Sequence, residues 1–189
     1  MMLRAWLFIV LCWSAQASSA ADFDVDRLMD LLRGQRPEKA TFHETKHIAI
    51  LERPVESSGE LDFTRPDRLE KRTFGLNAER IVVDGELLTI ERGGRTQTLG
   101  LREHPQIAVL IESIRGTLAG DRAALEKTYT MTLEGDMQSW RLMFRPKDAA
   151  LATLVSRIRI GGTQAQVRRV EIDEADGDRS VMLVTPATP

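Results

Sequence analysis

The chain has 189 residues, of which 42% are hydrophobic and 29% are charged, and this balance excludes a disordered or fibrous protein. Its length allows one domain with a sizeable core, and its formal net charge of -2 argues against a general nucleic-acid-binding surface. The chain has one cysteine, Cys12, which excludes an intramolecular disulfide.

The first 21 residues have the three parts of a secretory signal peptide. Arg4 supplies the basic start, residues 5–13 are an apolar run, and residues 14–21 are small and polar. The run is too short for a membrane anchor, because a spanning helix needs about 20 apolar residues. We therefore expect a signal peptide at residues 1–21 and a mature domain at residues 22–189 that is secreted to a bacterial periplasm. That domain has 25 basic and 28 acidic residues and no cysteine.

Two segments have the apolar spacing of a helix. The first covers residues 24–33, with Asp24 as its N-cap and Gly34 as its stop. The second begins at Pro105 in the middle of the chain and ends at Gly120. A short turn is expected directly after the second helix.

The rest of the chain alternates apolar and polar residues, as short antiparallel strands do. Turn signals such as Asp84-Gly85 and Asp176-Gly177 separate these strands. We expect about ten strands, from segments 41–51, 59–63, 68–74, 80–83, 87–92, 95–101, 129–134, 140–145, 157–160, 170–172 and 181–184. A long sheet with one apolar face must curl, close or be covered, and the second helix is the natural cover.

The segment HETKH at residues 43–47 matches the H-E-x-x-H motif of zinc proteases. On a helix, the two histidines of this motif share one face and bind the metal, and the glutamate acts as general base. The residues around it favour a strand, on which His43 and His47 would lie roughly 13 Å apart at ~3.3 Å per residue. We therefore expect no metal site, and a zinc hydrolase at this motif is the minor alternative.

Other catalytic signatures are missing from the sequence. It contains no G-x-S-x-G elbow, no phosphate-binding glycine loop and no G-x-G-x-x-G fingerprint. Arginine-rich strand segments, such as 141–145 and 157–159, fit the solvated side of a sheet better than an anion site. The expectation is a protein without catalytic residues and without a cofactor.

Five segments, in order along the chain, resemble motifs of one family. GELDFTRPDRL at 59–69 resembles G-x-L-x-[hydrophobic]-x-R-P, and FHETK at 42–46 resembles F-x-Q-x-K. VDGELL at 83–88 is similar to a V-x-D-G-x-x-L hairpin, and WRLMFRPK at 140–147 is similar to W-x-L-x-L-x-P-K. Asp176-Gly177 lies where a D-x-x-G turn precedes the last strand. The family is LolA, the periplasmic lipoprotein carriers.

The resemblance implies both a fold and a function. The fold is α+β and mostly β, an unclosed antiparallel β-barrel with a helical lid. The implied function is to bind acyl chains of lipoproteins, or related lipidic cargo, in a hydrophobic cavity. The carrier receives this cargo from an inner-membrane exporter complex and passes it to an outer-membrane acceptor. We expect a monomer with no nucleic-acid partner. The alternative is a protein-binding sensor or scaffold module of the same fold.

The resemblance also implies three groups of site residues. Arg65 aligns with the R-P arginine, which in the family hydrogen-bonds backbone groups of the lid helices and holds the empty carrier closed. The candidate lid residues are Ile107, Leu110, Ile111 and Ile114. The candidate ligand-binding residues are Leu61, Phe63, Leu88, Ile90, Tyr129, Met131, Trp140, Leu142 and Phe144. Plain core packing is the alternative for the apolar residues, and a simple turn role is the alternative for Arg65.

Two positions depart from the family motifs. Glu44 stands in place of the glutamine of F-x-Q-x-K, and Lys71 stands where the usual carrier has a tryptophan. The segments 56–61 and 118–121 also look like a divergent LolA-like branch, which is associated with acyltransferase and lipid-export genes. These departures favour an acylated or lipidic cargo in general over a lipoprotein in particular.

Overall fold

A computed structural model describes residues 23–35 and 38–187 of the chain. The predicted signal peptide at residues 1–21 lies outside the described residues. Within them, no helix has both the length and the apolar character that crossing a membrane requires.

Eleven antiparallel strands make one continuous sheet. They are β1 (Glu38–His47), β2 (Val55–Thr64), β3 (Arg68–Thr73), β4 (Glu79–Asp84), β5 (Leu87–Arg92), β6 (Arg95–Gly100), β7 (Tyr129–Asp136), β8 (Ser139–Pro146), β9 (Val155–Thr163), β10 (Gln166–Glu174) and β11 (Arg179–Pro186). Their order is β6-β5-β4-β3-β2-β1-β11-β10-β9-β8-β7, so the edge strands β6 and β7 are not paired with each other. The expected fold class, an unclosed antiparallel β-barrel with helices, is confirmed.

Both predicted helices are present, and they begin and end at the predicted signals. Helix α1 (Val25–Arg33) begins where the Asp24 side chain accepts a hydrogen bond from the Arg27 backbone N–H at 2.9 Å. Helix α2 (Pro105–Ala119) ends at Gly120, whose φ of +66° is in the left-handed region that glycine adopts without strain.

Two further helices follow α2. Helix α3 (Arg122–Thr128) occupies the place of the expected short turn, and the Asp121 side chain caps it by accepting from the Ala124 N–H at 3.0 Å. Helix α4 (Ala149–Ala152) was not among the predicted elements. It is one turn long and begins at Asp148, whose side chain accepts hydrogen bonds from two backbone N–H groups. Such a short helix has too few residues for a periodic apolar pattern.

Helix α2 crosses the inner face of the sheet. It lies in the chain between β6 and β7, which are at opposite edges of the sheet. Its apolar side chains contact two separate core clusters. Val109 belongs to the larger cluster, which α1, α3 and strands β7 to β10 form, and Ile111 belongs to the smaller cluster with β4 and β5. The helix therefore covers both halves of the curved sheet.

The HETKH segment lies on strand β1, as its neighbours predicted. His43 and His47 are exposed, whereas Phe42 is buried on the opposite face of the strand. Glu44 shares the inner face with Phe42 because side chains alternate along a strand. The glutamate and the two histidines of the motif therefore point to opposite sides of the sheet.

Candidate functional site

An apolar cavity of about 120 Å³ lies between α2 and the inner face of the sheet. Three residues of α2 form its roof, and residues from six strands form its wall. Lys71 is the charged residue among those that line it. The lining residues are Ala40, Leu61, Leu69, Lys71, Ile114, Thr117, Leu118, Ile160, Val167, Val170, Met182 and Val184.

The volume of this cavity limits the size of the molecule that it can hold. An engineered apolar cavity of about 150 Å³ holds one benzene, and ligand pockets typically measure about 300–1,000 Å³. A cavity of about 120 Å³ is too small for a long acyl chain. We call this arrangement, with α2 against the sheet, the closed state; a longer chain would fit only if α2 moved away from the sheet.

Four larger hollows, of about 390, 530, 280 and 360 Å³, each have charged residues in their walls. Lys39, Glu60, Asp62 and Glu70 are among the residues that line the first. The second lies at the loops that follow β3 and β5. Polar walls do not favour an apolar guest, so we take the smaller cavity under α2 as the candidate site.

Arg65 connects the sheet to the ends of two helices. It lies in the turn between β2 and β3, and its guanidinium donates four hydrogen bonds to backbone carbonyls. Nε donates to the Gln35 oxygen at 3.0 Å, and Nη1 donates to that of Ala119 at 3.3 Å. Nη2 donates to the oxygens of Leu32 at 2.5 Å and Leu118 at 3.1 Å. Three of these carbonyls are at the carboxyl ends of α1 and α2, and the fourth directly follows α1.

The carboxyl end of a helix is a favourable place for such a cation. The last carbonyls of a helix have no partner within it, and the helix dipole makes this end negative. Arg65 therefore adds hydrogen bonds to carbonyls at the ends of both helices together. The Leu32 oxygen also accepts a hydrogen bond from the Gln35 backbone N–H at 3.2 Å. The predicted latch residue makes contacts of the kind that the resemblance implied, and its effect on cargo release stays a prediction.

The carboxyl ends of α1 and α2 lie in direct contact, so that one side chain reaches both. A Cβ atom at Gly120 would lie 2.3 Å from the Met29 carbonyl oxygen. Arg33 donates a hydrogen bond from Nη2 to the Gly120 carbonyl at 2.7 Å. The left-handed glycine thus ends α2 and also permits its close approach to α1.

The structure places two of the predicted apolar site residues in the cavity lining, Leu61 and Ile114. Phe63 is buried beside the latch, with its ring centroid 5.7 Å from the Arg65 guanidinium carbon. Leu88 and Ile90 pack in the smaller cluster, together with the predicted lid residues Ile107 and Ile111.

The other predicted residues pack in the larger cluster. Its buried members include Tyr129, Trp140, Leu142 and Phe144, and Met131 and Leu110 pack against them. Tyr129 donates a hydrogen bond through its hydroxyl to the Val109 carbonyl of α2. These residues are packed core in the closed state, and their contact with cargo stays a prediction.

An ion pair that the sequence analysis did not assign to the site lies beside the cavity. The Lys71 Nζ atom is 2.5 Å from Oε2 of Glu44, and the Ser180 hydroxyl donates to Oε1 of Glu44 at 2.6 Å. Lys71 also lies 4.8 Å from the centroid of the Phe42 ring. Burial by itself raises the pKa of Glu44, but the charge and hydrogen bond of Lys71 and the Ser180 hydroxyl outweigh it and lower that pKa.

Glu44 and Lys71 are also the two departures from the family motifs. Strand alternation alone puts Glu44 on the face of Phe42, and it puts Lys71 on the face of Leu69. The register puts Lys71 in the row of Leu61 and Ala40, and Glu44 lies four residues farther along β1. The Lys71 side chain therefore reaches across β2 and along β1 to make the contact. That register is not visible in the sequence, and so neither residue was predicted as part of the site.

The arginine-rich segments lie on the outer face of the sheet. Arg157 and Arg159 pair with Asp173, and Arg169 and Arg179 pair with Glu171. Glu171 is itself buried, which raises its pKa, but its arginine partners outweigh burial and lower that pKa. These arginines form an ion-pair network on the face opposite the cavity.

Three solved structures resemble this fold at low sequence identity. A LolA superfamily protein from Nitrosomonas europaea is 11% identical, with 85% of this chain and 90% of that chain covered and a TM-score of 0.47. The lipoprotein LppX of Mycobacterium tuberculosis is 10% identical, with 85% and 91% covered and a TM-score of 0.45. LprF of Mycobacterium bovis is 12% identical, with 87% and 93% covered and a TM-score of 0.38.

No curated protein sequence matches the chain. A sequence model of one family does match, over residues 17–188, and its description is "Outer membrane lipoprotein carrier protein LolA-like". This match covers nearly the whole chain, and it agrees with the motifs and with the unclosed, helix-covered sheet. The chain belongs to the LolA-like family of outer membrane lipoprotein carrier proteins.

Proposed function

We propose that this protein is a carrier that binds acyl chains of lipoproteins, or related lipidic cargo, between α2 and the inner face of the sheet. One observation carries the proposal. An apolar cavity lies under a helix whose end is held to the sheet by the side chain of Arg65. Membership of a carrier family supports the proposal.

The hydrophobic effect supplies the driving force for binding. Each CH₂ group that leaves water contributes about 0.8 kcal/mol, so about ten buried CH₂ groups contribute about 8 kcal/mol. Part of this free energy is spent on moving α2 away from its present contacts. The exchange is feasible because both the cargo and the roof of α2 offer apolar surface to the same sheet face.

Helix α2 is attached to the sheet in a way that permits this movement. Its contacts with the strands are apolar side chains and a few side-chain hydrogen bonds, such as that from Tyr129 to Val109 and that from Arg115 Nη1 to the Gly85 carbonyl at 2.7 Å. The backbone hydrogen bonds of the sheet run from strand to strand and do not involve the helix. Opening the cavity therefore breaks packing and a few hydrogen bonds, and it leaves the sheet intact.

We extend the proposal to the place where the protein works and to the partners with which it exchanges its cargo. The mature domain, residues 22–189 behind a signal peptide at residues 1–21, works as a monomer in the periplasm. It takes its cargo from an inner-membrane exporter complex and passes it to an outer-membrane acceptor. The protein acts by binding, without catalysis and without a cofactor. The signal-peptide pattern and the family motifs support these statements.

Displacement of a fluorescent fatty acid from the purified mature protein tests the proposal. Ala40→Leu adds a larger side chain to the cavity wall, and we expect it to weaken fatty-acid binding about tenfold. Ala123→Leu makes the same change at an exposed position of α3, and we expect wild-type binding. If the wild-type protein takes up no acylated ligand, or if both variants bind like the wild type, the proposed site is wrong.

A further inference from the structure

We propose that the Glu44–Lys71 pair is a polar subsite of the acyl cavity that binds the carbonyl oxygen of an acyl ester. This inference rests on the proposed function and deepens it. The cargo is then recognised by its chain and also by the uncharged ester group at the head of that chain. The subsite makes the cavity selective for acyl esters over plain hydrocarbon and over free fatty acids.

The geometry places Lys71 on the wall that the cargo would contact, with Glu44 beside it outside the lining. Lys71 itself lines the cavity, beside Leu61 and Leu69. Its side chain reaches across β2 from β3 to Glu44 on β1, where Nζ lies 2.5 Å from the carboxylate. Only 24% of the Lys71 side chain and 17% of that of Glu44 are exposed.

Gly59 makes this crossing of β2 possible. It lies opposite Phe42 of β1 and Thr73 of β3, between the strands that carry the pair. A Cβ atom at this position would come within 2.8 Å of the Phe42 ring and 1.8 Å of the Arg72 carbonyl oxygen. Without a side chain at Gly59, the Phe42 ring lies against the strand and the Lys71 ammonium lies over that ring.

Stability alone is a weak reason for an ion pair in this place. Two charges lose hydration when they are buried, and an apolar pair of similar volume is often as stable or more stable. The rest of the cavity wall is aliphatic apart from Thr117. A charged pair beside an apolar cavity is better explained by a polar group that enters that cavity.

The hydrogen bonds of the pair indicate which polar group fits. Glu44 already accepts from Lys71 and from Ser180. An ammonium has three N–H donors, and among the described residues Glu44 is the hydrogen-bond acceptor for Lys71. Lys71 therefore has donor capacity left for an oxygen atom that arrives from the cavity.

The charge of the ligand's head group indicates whether the subsite suits a carboxylate or an ester. A fatty-acid carboxylate would place a second anion beside Glu44, and the next cation, Lys46, is already paired with Glu174 at 3.1 Å and Asp178 at 3.7 Å. An ester carbonyl accepts a hydrogen bond from Lys71 and adds no charge. The ester is therefore the better match for a pair that is already neutral.

Three ligands of matched length separate these possibilities: methyl dodecanoate, dodecanoate and tridecane. Each affinity is first corrected for the ligand's transfer free energy from water to an alkane solvent. On that scale we expect the wild-type protein to bind the ester about tenfold more tightly than the alkane, because a hydrogen bond to a charged donor is worth about that factor. The double variant Glu44→Gln/Lys71→Met removes both charges together. It should lose this preference and bind the alkane at least as well as the wild type does.

Lys39→Met is the matched control, since Lys39 is an exposed lysine on β1, and it should keep the preference for the ester. Infrared spectra of the ester with an isotope-labelled carbonyl, bound to wild-type protein, give a readout that does not depend on the variants. The carbonyl band should shift to lower frequency than in an alkane solvent.

Several results would overturn the subsite, and they differ from failure of the carrier proposal. Equal binding of ester and alkane, an unshifted carbonyl band, or a preference that survives in the double variant each excludes it. Tighter binding of dodecanoate than of the ester would exclude an ester site in favour of a carboxylate site. If none of the three ligands binds, including tridecane, the proposed carrier function itself has failed.

Discussion

At the scale of single residues, the proposed latch role of Arg65 rests on its four acceptors, which belong to segments that would part if the cavity opened. Hydrogen bonds from a charged donor contribute about 1.5–3 kcal/mol each when buried, and less where water competes. Arg65 is half-buried, so its four bonds together are worth less than four times that value. A bias of about 1.4 kcal/mol already changes an equilibrium tenfold.

Replacing this arginine should therefore favour the open, loaded state. Arg65→Leu keeps an aliphatic side chain but removes all four hydrogen bonds, and we expect release of a bound fluorescent fatty acid to slow about tenfold. Arg68→Leu is the control, since Arg68 lies on the same hairpin and bonds to Asp84 at 2.9 Å instead of to the helices. Stopped-flow measurement of the release rate tests this prediction, and a wild-type rate for Arg65→Leu would remove the latch assignment.

A second prediction at this scale concerns Glu44 and the pH dependence of the free energy of unfolding. Its pKa in the folded protein lies below the ordinary value of 4.5, so it stabilises the fold above that pH. The contribution is lost as the pH falls through the lowered pKa. We expect Glu44→Gln to reduce the free energy of unfolding by about 2 kcal/mol at pH 7, because it leaves Lys71 without its partner.

Urea unfolding of both proteins between about pH 3 and 7 measures this difference. The difference should be constant above about pH 5 and should shrink toward zero in more acid solution. Other carboxylates with a lowered pKa, such as Glu171, are present in both proteins and cancel. A difference that stays the same at low pH would show that the Glu44 charge does not stabilise the fold.

At the scale of elements, the contact between the ends of α1 and α2 decides how the lid is held. Gly120→Ala puts a side chain in the left-handed region and 2.3 Å from the Met29 carbonyl oxygen. We expect a loss of at least about 2 kcal/mol, from the left-handed conformation and the steric clash together.

Gly34→Ala at the end of α1 is the matched change. Gly34 has a φ of -72°, and its nearest contact for a Cβ atom is an ordinary 3.5 Å. We expect this variant to be neutral or to gain up to about 1 kcal/mol. Thermal unfolding of both variants is the measurement, and equal effects at the two glycines would contradict the close approach of α1 and α2.

The elements themselves were largely predictable, because their signals are local. Asp24 and Gly34 bound α1, and Pro105 and Gly120 bound α2, as capping chemistry requires. Strand alternation located the segments of all eleven strands. Helix α4 was missed because one turn, capped by Asp148, leaves no periodic pattern.

At the scale of the whole molecule, the cavity depends on which strands are neighbours. The pairing of β1 with β11 puts Val184 opposite Phe42 and Met182 opposite Glu44. Both side chains line the same cavity as Ala40, although about 140 positions separate them from it in the chain. Sequence patterns show the inward face of each strand and cannot show this neighbour. Leu61 and Ile114 follow the inward apolar pattern and were predicted for the site. The place of Lys71 depends on the neighbouring strands, and it was not predicted.

The closed molecule has two core clusters with a small gap between them, and α2 lies over both. In the proposed opening, the two clusters separate along their contacts with α2, and the hydrogen bonds between strands are not among those contacts. This arrangement is what a carrier needs, since it must close when empty and admit a chain when loaded.

The central claim is that an acyl chain enters between α2 and the inner face of the sheet. A fatty-acyl probe with a photoreactive group in its chain, crosslinked to the purified protein and mapped by peptide mass spectrometry, tests this claim directly. We expect crosslinks to α2 and to the inward residues of β1, β2 and β11, and unlabelled lipid should compete with them. Crosslinks confined to the outer face of the sheet, or none at all, would contradict it.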